Sequence, residues 1–431
     1  MKESKYNLIY NIKDKRYLFN TKSGALAEIN NDFLAALDSI KNNRFNPSEF
    51  DPELIENMKY AEAIIDDDRD ELGELEYLYL RTKLDSCKLS LVILTTLDCN
   101  CRCKYCYESR KKGKLSAQNQ NLILDFIKEH KPSTGLKITW FGGEPLLDKA
   151  TIYNLSSRLV KFCAENGIEY KSSMITNLTL FDESDIEKFK QYNISQVQVT
   201  LDGPEKIHNL RRPELNCKNS YSKIIRNINL LLSNGIEVDI RINIDRENEG
   251  YIDDLLDELE AKLPKTKLLC IYPAPVCSST EACKDVESSC IRDEDWSNFE
   301  SLFYKKAIQK NLSINVKKYV LPYVRAVSCG AEINNYFVID PQGNMYKCLM
   351  YVGDENRRFG TLDSNLNSIS KHNLPWLIQS PFESSKCRNC KILPLCFGGC
   401  RHKAITENKL KPVCEINEIN LKNKIEAFLS C

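Results

Sequence analysis

From Lys88 onward the chain alternates short runs rich in β-branched residues with longer stretches whose apolar positions recur every three or four residues. Runs at 88–97 (KLSLVILTTL), 137–141 (KITWF), 170–176 (YKSSMIT), 195–201 (SQVQVTL), 237–244 (EVDIRINI) and 267–272 (KLLCIY) read as strands. Between them, NLILDFIKEHK and YSKIIRNINLLLSNG carry the helical period, and the second closes on a glycine, which favours a helix end. This alternation predicts a parallel sheet joined by right-handed crossovers. About six such units predict either a doubly wound sheet or an open, incomplete barrel.

Residues 1–86 have a different rhythm. KYNLIYNI, KRYLFNT and GALAEIN predict three short strands with turns at KDK and KSG, followed by helices through NDFLAALDSI and ELGELEYLYLRTKL. The run DDDRDE, Asp66 to Glu71, reads as a solvated turn rather than a metal site. After residue 325 the chain becomes turn-rich and cysteine-dense. The predicted organisation is a small α/β module over 1–86, a βα core over 87–315 and a cysteine-rich region over 316–431. At roughly 150 residues per domain, the length agrees with this.

The residues that interrupt the βα pattern fall just past each strand. The first strand leads into four cysteines (LDCNCRCKYCYE), the second into GGEP, the third into Thr176 and Asn177, and the fourth into DGP at 202–204; Arg241 and Asn243 lie late in the fifth. Strand ends of a βα barrel converge on one face, so these residues predict one composite site.

Composition narrows its chemistry. Lys plus Arg and Asp plus Glu number 60 each, which gives no general attraction to nucleic acid or an anionic membrane. Apolar runs such as LVIL are too short to span a bilayer, and MKESKYNLIY lacks a secretion-signal pattern, so a cytoplasmic protein is expected. In that compartment 19 cysteines predict metal or cluster ligation rather than disulfides. Cys87, Cys163, Cys217 and Cys270 each stand alone and are expected as ordinary buried thiols.

Cys99, Cys103 and Cys106 have the spacing Cys-x3-Cys-x2-Cys. A short loop can turn three such thiolates toward one centre, and on a four-iron cluster they leave one iron without a protein ligand. A zinc site and a redox disulfide are the alternatives; Cys101 is a poor fourth zinc ligand because single-residue spacing strains the loop.

TTLDCNCRCKYCYE, with Tyr105 before the last ligand, resembles the signature of radical S-adenosylmethionine (SAM) enzymes. WFGGEPLL and VTLDGPEKIHNLRRP resemble their later motifs, in order, across residues 95–245. The resemblance implies that the open iron chelates the amino and carboxylate groups of SAM, whose reductive cleavage gives a 5'-deoxyadenosyl radical that abstracts a substrate hydrogen. It further implies that the edge at Gly142 and Gly143, with Glu144 nearby, holds the methionine amino group. By the same resemblance Ser173 and Asn177 lie near SAM, Arg212 pairs with its carboxylate, and Asn243 reaches its ribose or carboxylate. Asp202 reads equally as a turn-fixing or a functional residue, and His208 as structural.

The second cysteine series is Cys329-x13-Gly343-x4-Cys348, then Cys387-x2-Cys390-x5-Cys396-x3-Cys400-x13-Cys414. Seven cysteines leave two four-thiolate sites one ligand short; zinc is the alternative for a Cys-x2-Cys pair. The series resembles the SPASM domain of peptide-modifying radical SAM enzymes. By resemblance, Cys387, Cys390, Cys396 and Cys414 hold one auxiliary 4Fe-4S cluster and Cys329, Cys348 and Cys400 the other. The eighth ligand could be Cys277, Cys283, Cys290, a substrate thiolate or water. DPQGN, Asp340 to Asn344, reads as a hairpin turn.

Taken together, the resemblances imply an α/β fold: a partial (βα)6 TIM-like barrel between an N-terminal winged-helix-like peptide-recognition module and a C-terminal SPASM domain. They imply three 4Fe-4S clusters, a ribosomally made precursor peptide bound through its leader, and a flavodoxin- or ferredoxin-type reductant. The expected chemistry is a thioether or other side-chain crosslink, or epimerisation. Deleting residues 1–85 is expected to weaken peptide binding and spare SAM cleavage. One alternative is an anaerobic sulfatase-maturating enzyme, whose family carries a further cysteine shortly after the position of Cys329; CGAEINN has none. The other is a non-enzymatic iron–sulfur electron-transfer protein, which needs neither an open iron nor GGEP.

Overall fold

The computed structural model describes residues 1–108, 112–215, 219–278, 280–312, 320–364, 374–406 and 411–430. The chain divides into two units, one of Met1–Leu84, Leu321–Ile333 and Leu377–Glu426, the other of Asp85–Val320, Asn334–Trp376 and Ala427–Cys431. The expected boundary at 315/316 lies outside the described residues.

In the first unit, β1 (Lys2–Glu3) pairs with β5 (Ile64–Ile65), and β2 (Asn7–Ile12), β3 (Lys15–Asn20) and β4 (Leu26–Ile29) form the expected three-stranded antiparallel sheet. Lys13 in the first turn has φ 54°, the left-handed conformation a tight hairpin demands. Helices α1 (Asn31–Lys41), α2 (Pro52–Tyr60) and α3 (Glu71–Lys83) are N-capped by the side chains of Asn30, Asp51 and Asp70. The acidic run DDDRDE therefore supplies a helix cap, with the Gly73 N–H donating to Asp70 Oδ1 at 3.0 Å.

Among the described residues two apolar clusters stand out in this unit. One gathers Leu18, Ile29, Phe33, Leu37, Ile55 and Met58. The other joins Tyr6, Leu75 and Tyr79 to Phe382, Cys387, Leu393 and Phe397, with the Tyr79 and Phe397 rings stacked at 5.9 Å. The N-terminal module and the cysteine segment 377–426 thus share apolar packing. Deleting 1–85 removes Tyr6, Leu75 and Tyr79, three of the seven buried residues of that core, so the expected loss of peptide binding is read with a folding control.

Around this core lies a buried polar network. Lys83 Nζ donates to Tyr79 Oη at 3.0 Å and to the Gln379 carbonyl at 2.9 Å, and Arg401 Nε pairs with Glu332 Oε1 at 2.8 Å. Burial pushes the Lys83 ammonium down from 10.5 to about 8. Between those values the unfolded chain holds the proton and the folded chain does not, so stability rises with pH across that window. The wild-type protein should gain on the order of 2 kcal/mol relative to Lys83→Met between pH 8 and 10. Urea titrations of both chains at the two pH values measure it.

The second unit is built on one nine-stranded sheet. Its strands β6 (Lys88–Leu94), β7 (Gly135–Phe141), β8 (Glu169–Thr176), β9 (Ile194–Thr200), β10 (Glu237–Ile244) and β11 (Leu269–Pro275) run parallel in sequential spatial order. Helices α4 (Ala117–His130), α5 (Lys149–Asn166), α6 (Asp185–Gln191), α7 (Glu205–Arg211), α8 (Ser220–Ser233) and α9 (Ile252–Lys262) alternate with them. The first strand ends three residues earlier than its apolar run, at Leu94, because the chain turns away into the cysteine loop. Beyond the expected six, β12 (Tyr336–Ile339) adds in parallel beside β6, and β13 (Asn344–Tyr346) and β14 (Gly360–Thr361) extend the sheet antiparallel. DPQGN forms the β12–β13 turn, with Asp340 Oδ1 accepting the Gln342 and Asn344 N–H groups at 2.9 Å.

The two-residue side-chain period divides the sheet's faces. Ile138, Trp140, Met174, Val197, Val199, Ile240 and Ile242 pack in one core with helix residues such as Ile127, Leu155, Ile228 and Leu255. Alternate positions carry Thr139, Ser173, Gln196, Gln198, Asp239, Arg241 and Tyr272 on the opposite, polar face. Cys163 and Cys270 are buried as expected, whereas Cys87 is exposed: it sits in the connection before β6, its carbonyl accepting the Ser133 and Thr134 N–H groups. Cys217 lies outside the described residues. Among the described residues no helix is long and apolar enough to cross a membrane.

Candidate functional site

The cysteine loop is seated on the exit of β7 by backbone pairing. Gly143 N–H donates to the Thr96 carbonyl at 3.0 Å and Glu144 N–H to the Asp98 carbonyl at 2.9 Å. A Cβ at Gly142, whose φ is +133°, would stand 2.2 Å from the Thr96 oxygen, and one at Gly143 would stand 2.3 Å from the Asp98 oxygen. Only glycines allow this approach.

Glu144 is buried, and its carboxyl is committed within the chain. Oε1 accepts the Leu146 N–H at 2.9 Å and the Thr176 hydroxyl at 2.6 Å, and Oε2 accepts the Asn177 N–H at 2.7 Å. Burial pushes the group up to about 7 against those three bonds. Its side chain thus ties the end of β7 to the end of β8, while its backbone stays at the glycine edge.

Asn177 is likewise turned to the loop. Its amide donates to Asn100 Oδ1 at 2.8 Å, to Cys101 Sγ at 3.4 Å and more weakly toward Cys99 Sγ at 3.9 Å, while its oxygen accepts the Thr179 N–H and hydroxyl. Cys101 is buried, and its N–H donates to Cys99 Sγ at 3.3 Å. A hydrogen bond from the Cys101 thiol pulls Cys99 down to about 6 and pushes Cys101 itself up. Burial raises Cys103 to about 12, with Arg212 opposing and Cys106 and Cys99 adding to the shift. Cys99, Cys103 and Cys106 therefore neighbour one another, and Cys101, which neighbours Cys99 and Cys103, acts as a donor to Cys99. A sulfur that receives N–H and thiol donors suits a thiolate ligand, so the loop fits an iron–sulfur cluster.

Tyr105 links the loop to the later strands. Its hydroxyl donates to Asp202 Oδ2 and accepts from Arg212 Nη1 at 2.5 Å and Asn243 Nδ2 at 3.1 Å. Asp202 is fully buried; it also accepts the Asn243 N–H at 3.1 Å and lies 3.8 Å from Arg212 Nη1. Thus Arg212 and Asn243 meet the cysteine loop through Tyr105, and Asp202 does more than fix a turn. Arg211, the other arginine of RRP, is taken up by a buried two-bond pair with Asp245 at 3.0 and 2.7 Å. His208 is structural: it is buried, kept neutral by desolvation, and its Nδ1 accepts the Asp202 N–H at 3.3 Å. Ser173 sits on the polar face, 3.1 Å from the Thr139 hydroxyl.

In the first unit the second cysteine series closes on itself. Phe397, Gly398 and Gly399 have φ of 43°, 87° and 72°, a left-handed run that carries the chain from Cys396 to Cys400. Val413 N–H donates to the Gly398 carbonyl at 2.9 Å, and a Cβ at Gly399 would stand 1.9 Å from the Val413 oxygen. Cys414 is thereby carried to Cys396, which burial raises to about 12 with Cys390, Cys387 and Cys414 all adding to the shift. Cys329 is raised to about 11, chiefly by burial, with Cys400 among its neighbours. In the second unit, Cys348 follows β13 and acts on the Tyr107 hydroxyl. Among the described residues no three His, Cys, Asp or Glu side chains are arranged to hold a single metal ion.

Residues 93–259, which span the cysteine loop and the strand ends just described, match the Radical SAM superfamily. The chain thus carries a Radical SAM domain, of a family that binds SAM and a 4Fe-4S cluster, and it is an enzyme whose sheet is the radical SAM partial barrel. It is similar to the serine-type anaerobic sulfatase-maturating enzyme of Klebsiella aerogenes, 22% identical over 70% of this chain and 76% of that protein. It is also similar to the cysteine-type enzyme of Clostridium perfringens, 25% identical over 73% and 89%. Its fold resembles anSMEcpe with bound AdoMet and Cp18Cys peptide, with TM-score 0.61, 22% identity, and coverage of 80% of this chain and 96% of that one. Streptococcus suis SuiB bound to precursor peptide SuiA superimposes with TM-score 0.55 and 16% identity over 96% of this chain and 99% of that one.

Proposed function

We propose that this radical SAM enzyme modifies a ribosomally made precursor peptide, forming a thioether or other side-chain crosslink. The observation that carries the reading is the extent of the SuiB likeness: it takes in nearly all of both chains, SuiB being a protein bound to a precursor peptide, whereas the anSMEcpe likeness leaves a fifth of this chain unmatched. The names of the curated relatives support a sulfatase-maturating enzyme as the second reading. Against it stands the stretch after Cys329, which holds no cysteine before Cys348.

In this reading Cys99, Cys103 and Cys106 hold the SAM-binding cluster, and the cluster with SAM supplies a 5'-deoxyadenosyl radical when reduced. The backbone edge at Gly142, Gly143 and Glu144 receives the methionine amino group, braced from behind by the Glu144 carboxyl. Arg212 offers its remaining N–H groups to the SAM carboxylate, and Ser173 and Asn243 line the cofactor. Asn177 lies near SAM while it braces the cysteine loop, and Asp202 positions Tyr105. Cys387, Cys390, Cys396 and Cys414 hold one auxiliary cluster and Cys329, Cys348 and Cys400 a second. The segment 1–86 recognises the leader, 87–315 carries the radical chemistry and 316–431 the auxiliary clusters. The electron donor is a flavodoxin or ferredoxin, and the setting is cytoplasmic.

Anaerobic reconstitution should yield about twelve irons per chain, the content of three four-iron clusters; about four, or zinc in their place, rules out the auxiliary pair. The function itself is tested by searching beside the gene for a short, cysteine- or repeat-rich reading frame and incubating the reduced enzyme and SAM with the peptide it encodes. A crosslinked product lighter by two hydrogens is expected. Formylglycine formation on a sulfatase-derived peptide would favour the second reading instead.

A further inference from the structure

The turn between β1 and β2 is fastened to the chain around Cys390. The two residues that flank Tyr6 grip the segment on either side of that cysteine: Lys5 Nζ donates to the Arg388 carbonyl, and the Asn7 carbonyl accepts from Lys391 Nζ at 3.0 Å. Thr21, just past β3, completes the clasp. Its hydroxyl donates to the Lys391 carbonyl and its N–H to the Tyr6 carbonyl at 3.0 Å. Tyr6 itself packs in the apolar cluster that contains Cys387, with the half-buried Cys390 against the same cluster.

Within this seat one polar atom is left over. Tyr6 is fully buried, and its backbone is satisfied, the N–H donating to Ser4 Oγ at 3.2 Å and the carbonyl accepting from Thr21. Its hydroxyl has no hydrogen-bond partner among the described residues. Tyr79, in the same cluster, by contrast gives its hydroxyl to the Gln379 carbonyl at 3.0 Å. Burial chiefly pushes the Tyr6 hydroxyl up, and the charges of Glu71, Asp70 and Cys390 add to the rise. The two carboxylates are engaged elsewhere: Glu71 Oε1 accepts the Ser4 hydroxyl at 2.6 Å and Oε2 the Lys5 N–H at 2.9 Å, while Asp70 Oδ1 accepts the Gly73 N–H. The cation nearest the ring, Lys5 Nζ, lies 6.0 Å from its centroid. Cys390 Sγ accepts the Ile392 N–H at 3.3 Å, and a ligating thiolate has lone pairs for a second donor.

An unsatisfied buried hydroxyl is costly, and a cluster-bound sulfur is an acceptor that would use it. Donors to such sulfurs favour the reduced, more negative cluster and so raise its reduction potential. We propose that the Tyr6 hydroxyl donates a hydrogen bond to the Cys390 sulfur of the auxiliary cluster held by Cys387, Cys390, Cys396 and Cys414, so that the N-terminal module helps to set that cluster's potential. The inference rests on the auxiliary-cluster assignment made above.

The test compares the full chain with its Tyr6→Phe variant, which keeps the ring and removes only the hydroxyl. Both also carry Cys103→Ala, so that the SAM-binding loop contributes no cluster signal, and both are reconstituted without oxygen. Each should hold about eight irons, the content of two four-iron clusters. Electron paramagnetic resonance during a redox titration follows the two auxiliary signals. In Tyr6→Phe one reduction equilibrium should move about tenfold toward the oxidised cluster, about 59 mV lower for one electron, while the other stays as an internal reference. In deuterated buffer, electron–nuclear double resonance on the signal that moves should show one exchangeable deuteron that Tyr6→Phe lacks. Full iron with both potentials and all deuteron couplings unchanged overturns the inference alone. An equal shift of both signals also overturns it, because that reports a general change of the fold. So does iron lost from Tyr6→Phe only, which would make the residue a structural one. Absence of iron from the C-terminal cysteines of both chains overturns the inference together with the cluster assignment.

Discussion

Cys103→Ala should release no 5'-deoxyadenosine above background when reduced with SAM, and should lose about four irons per chain, the content of one cluster. Cys101→Ala, only two positions away, should keep its iron. Both thiols lie near Cys99 and the Arg212 charge; the loop spacing assigns Cys103 to the ligand set, with Cys106 beside it. Cys101 is buried, its N–H on Cys99 Sγ and its own sulfur accepting from Asn177. Its removal costs Cys99 a donor and leaves a small void, worth about 1–2 kcal/mol by the usual cost of a lost buried bond. Iron analysis and product quantification on both variants, reconstituted in parallel, measure the difference. Iron lost equally from both would mean that Cys101 is a ligand and that the spacing has been misread.

Gly143→Ala should be nearly as damaging, although glycine carries no chemistry. The added methyl would lie 2.3 Å from the Asp98 oxygen, 2.7 Å from its carbonyl carbon and 2.8 Å from the Leu97 oxygen, all backbone atoms with nowhere to go. Either the loop lifts from β7 and the Gly143–Thr96 and Glu144–Asp98 bonds break, or β7 shifts under it. Overpacking of this kind costs about 1–3 kcal/mol, and each lost buried bond adds about 1 kcal/mol. The melting temperature should fall by roughly 5–10 °C at about 2–4 °C per kcal/mol. More tellingly, iron bound to the first loop should drop while iron on the C-terminal cysteines stays, because the damage is local. Gly250→Ala is the control: its Cβ would meet nothing within 4 Å, and stability should move by no more than about 0.5 kcal/mol. Scanning calorimetry with iron quantification distinguishes the two; an unchanged Gly143→Ala would mean that the loop does not need its seat.

Where the chemistry repeats with the fold, it could be read in the residues. The six parallel strands follow from β-branched runs at regular intervals, and the convergence of cysteines, GGEP, DGP and Asn243 follows from their common position after each strand. What escaped reading depends on distance in space. Nothing in the spacing of Asp202 and Tyr105 predicts that a buried carboxylate and a phenol meet, because the pairing exists only once β6 and β9 lie in one sheet. Glu144 and Asn177 add roles that a resemblance does not reveal: burial obliges both to satisfy donors and acceptors of neighbouring strand ends and of the cysteine loop. β12 was missed because a four-residue strand carries too short a pattern to stand out.

The core that joins Tyr6, Leu75 and Tyr79 to Phe382, Leu393 and Phe397 has a consequence for biosynthesis. The segment that carries Tyr6, Leu75 and Tyr79 cannot complete its packing until Phe382, Leu393 and Phe397, some three hundred residues later, have emerged from the ribosome. Contacts so distant along the chain form slowly, because a long loop must close before they contribute. The parallel sheet between them can assemble meanwhile, with the N-terminal strands waiting in partly exposed form. Translation order then makes folding of the C-terminal cysteine segment a late event, dependent on a segment synthesised earlier. A truncation near residue 380 should therefore harm the N-terminal module as much as the cysteine region, and expose hydrophobic surface that the intact protein conceals.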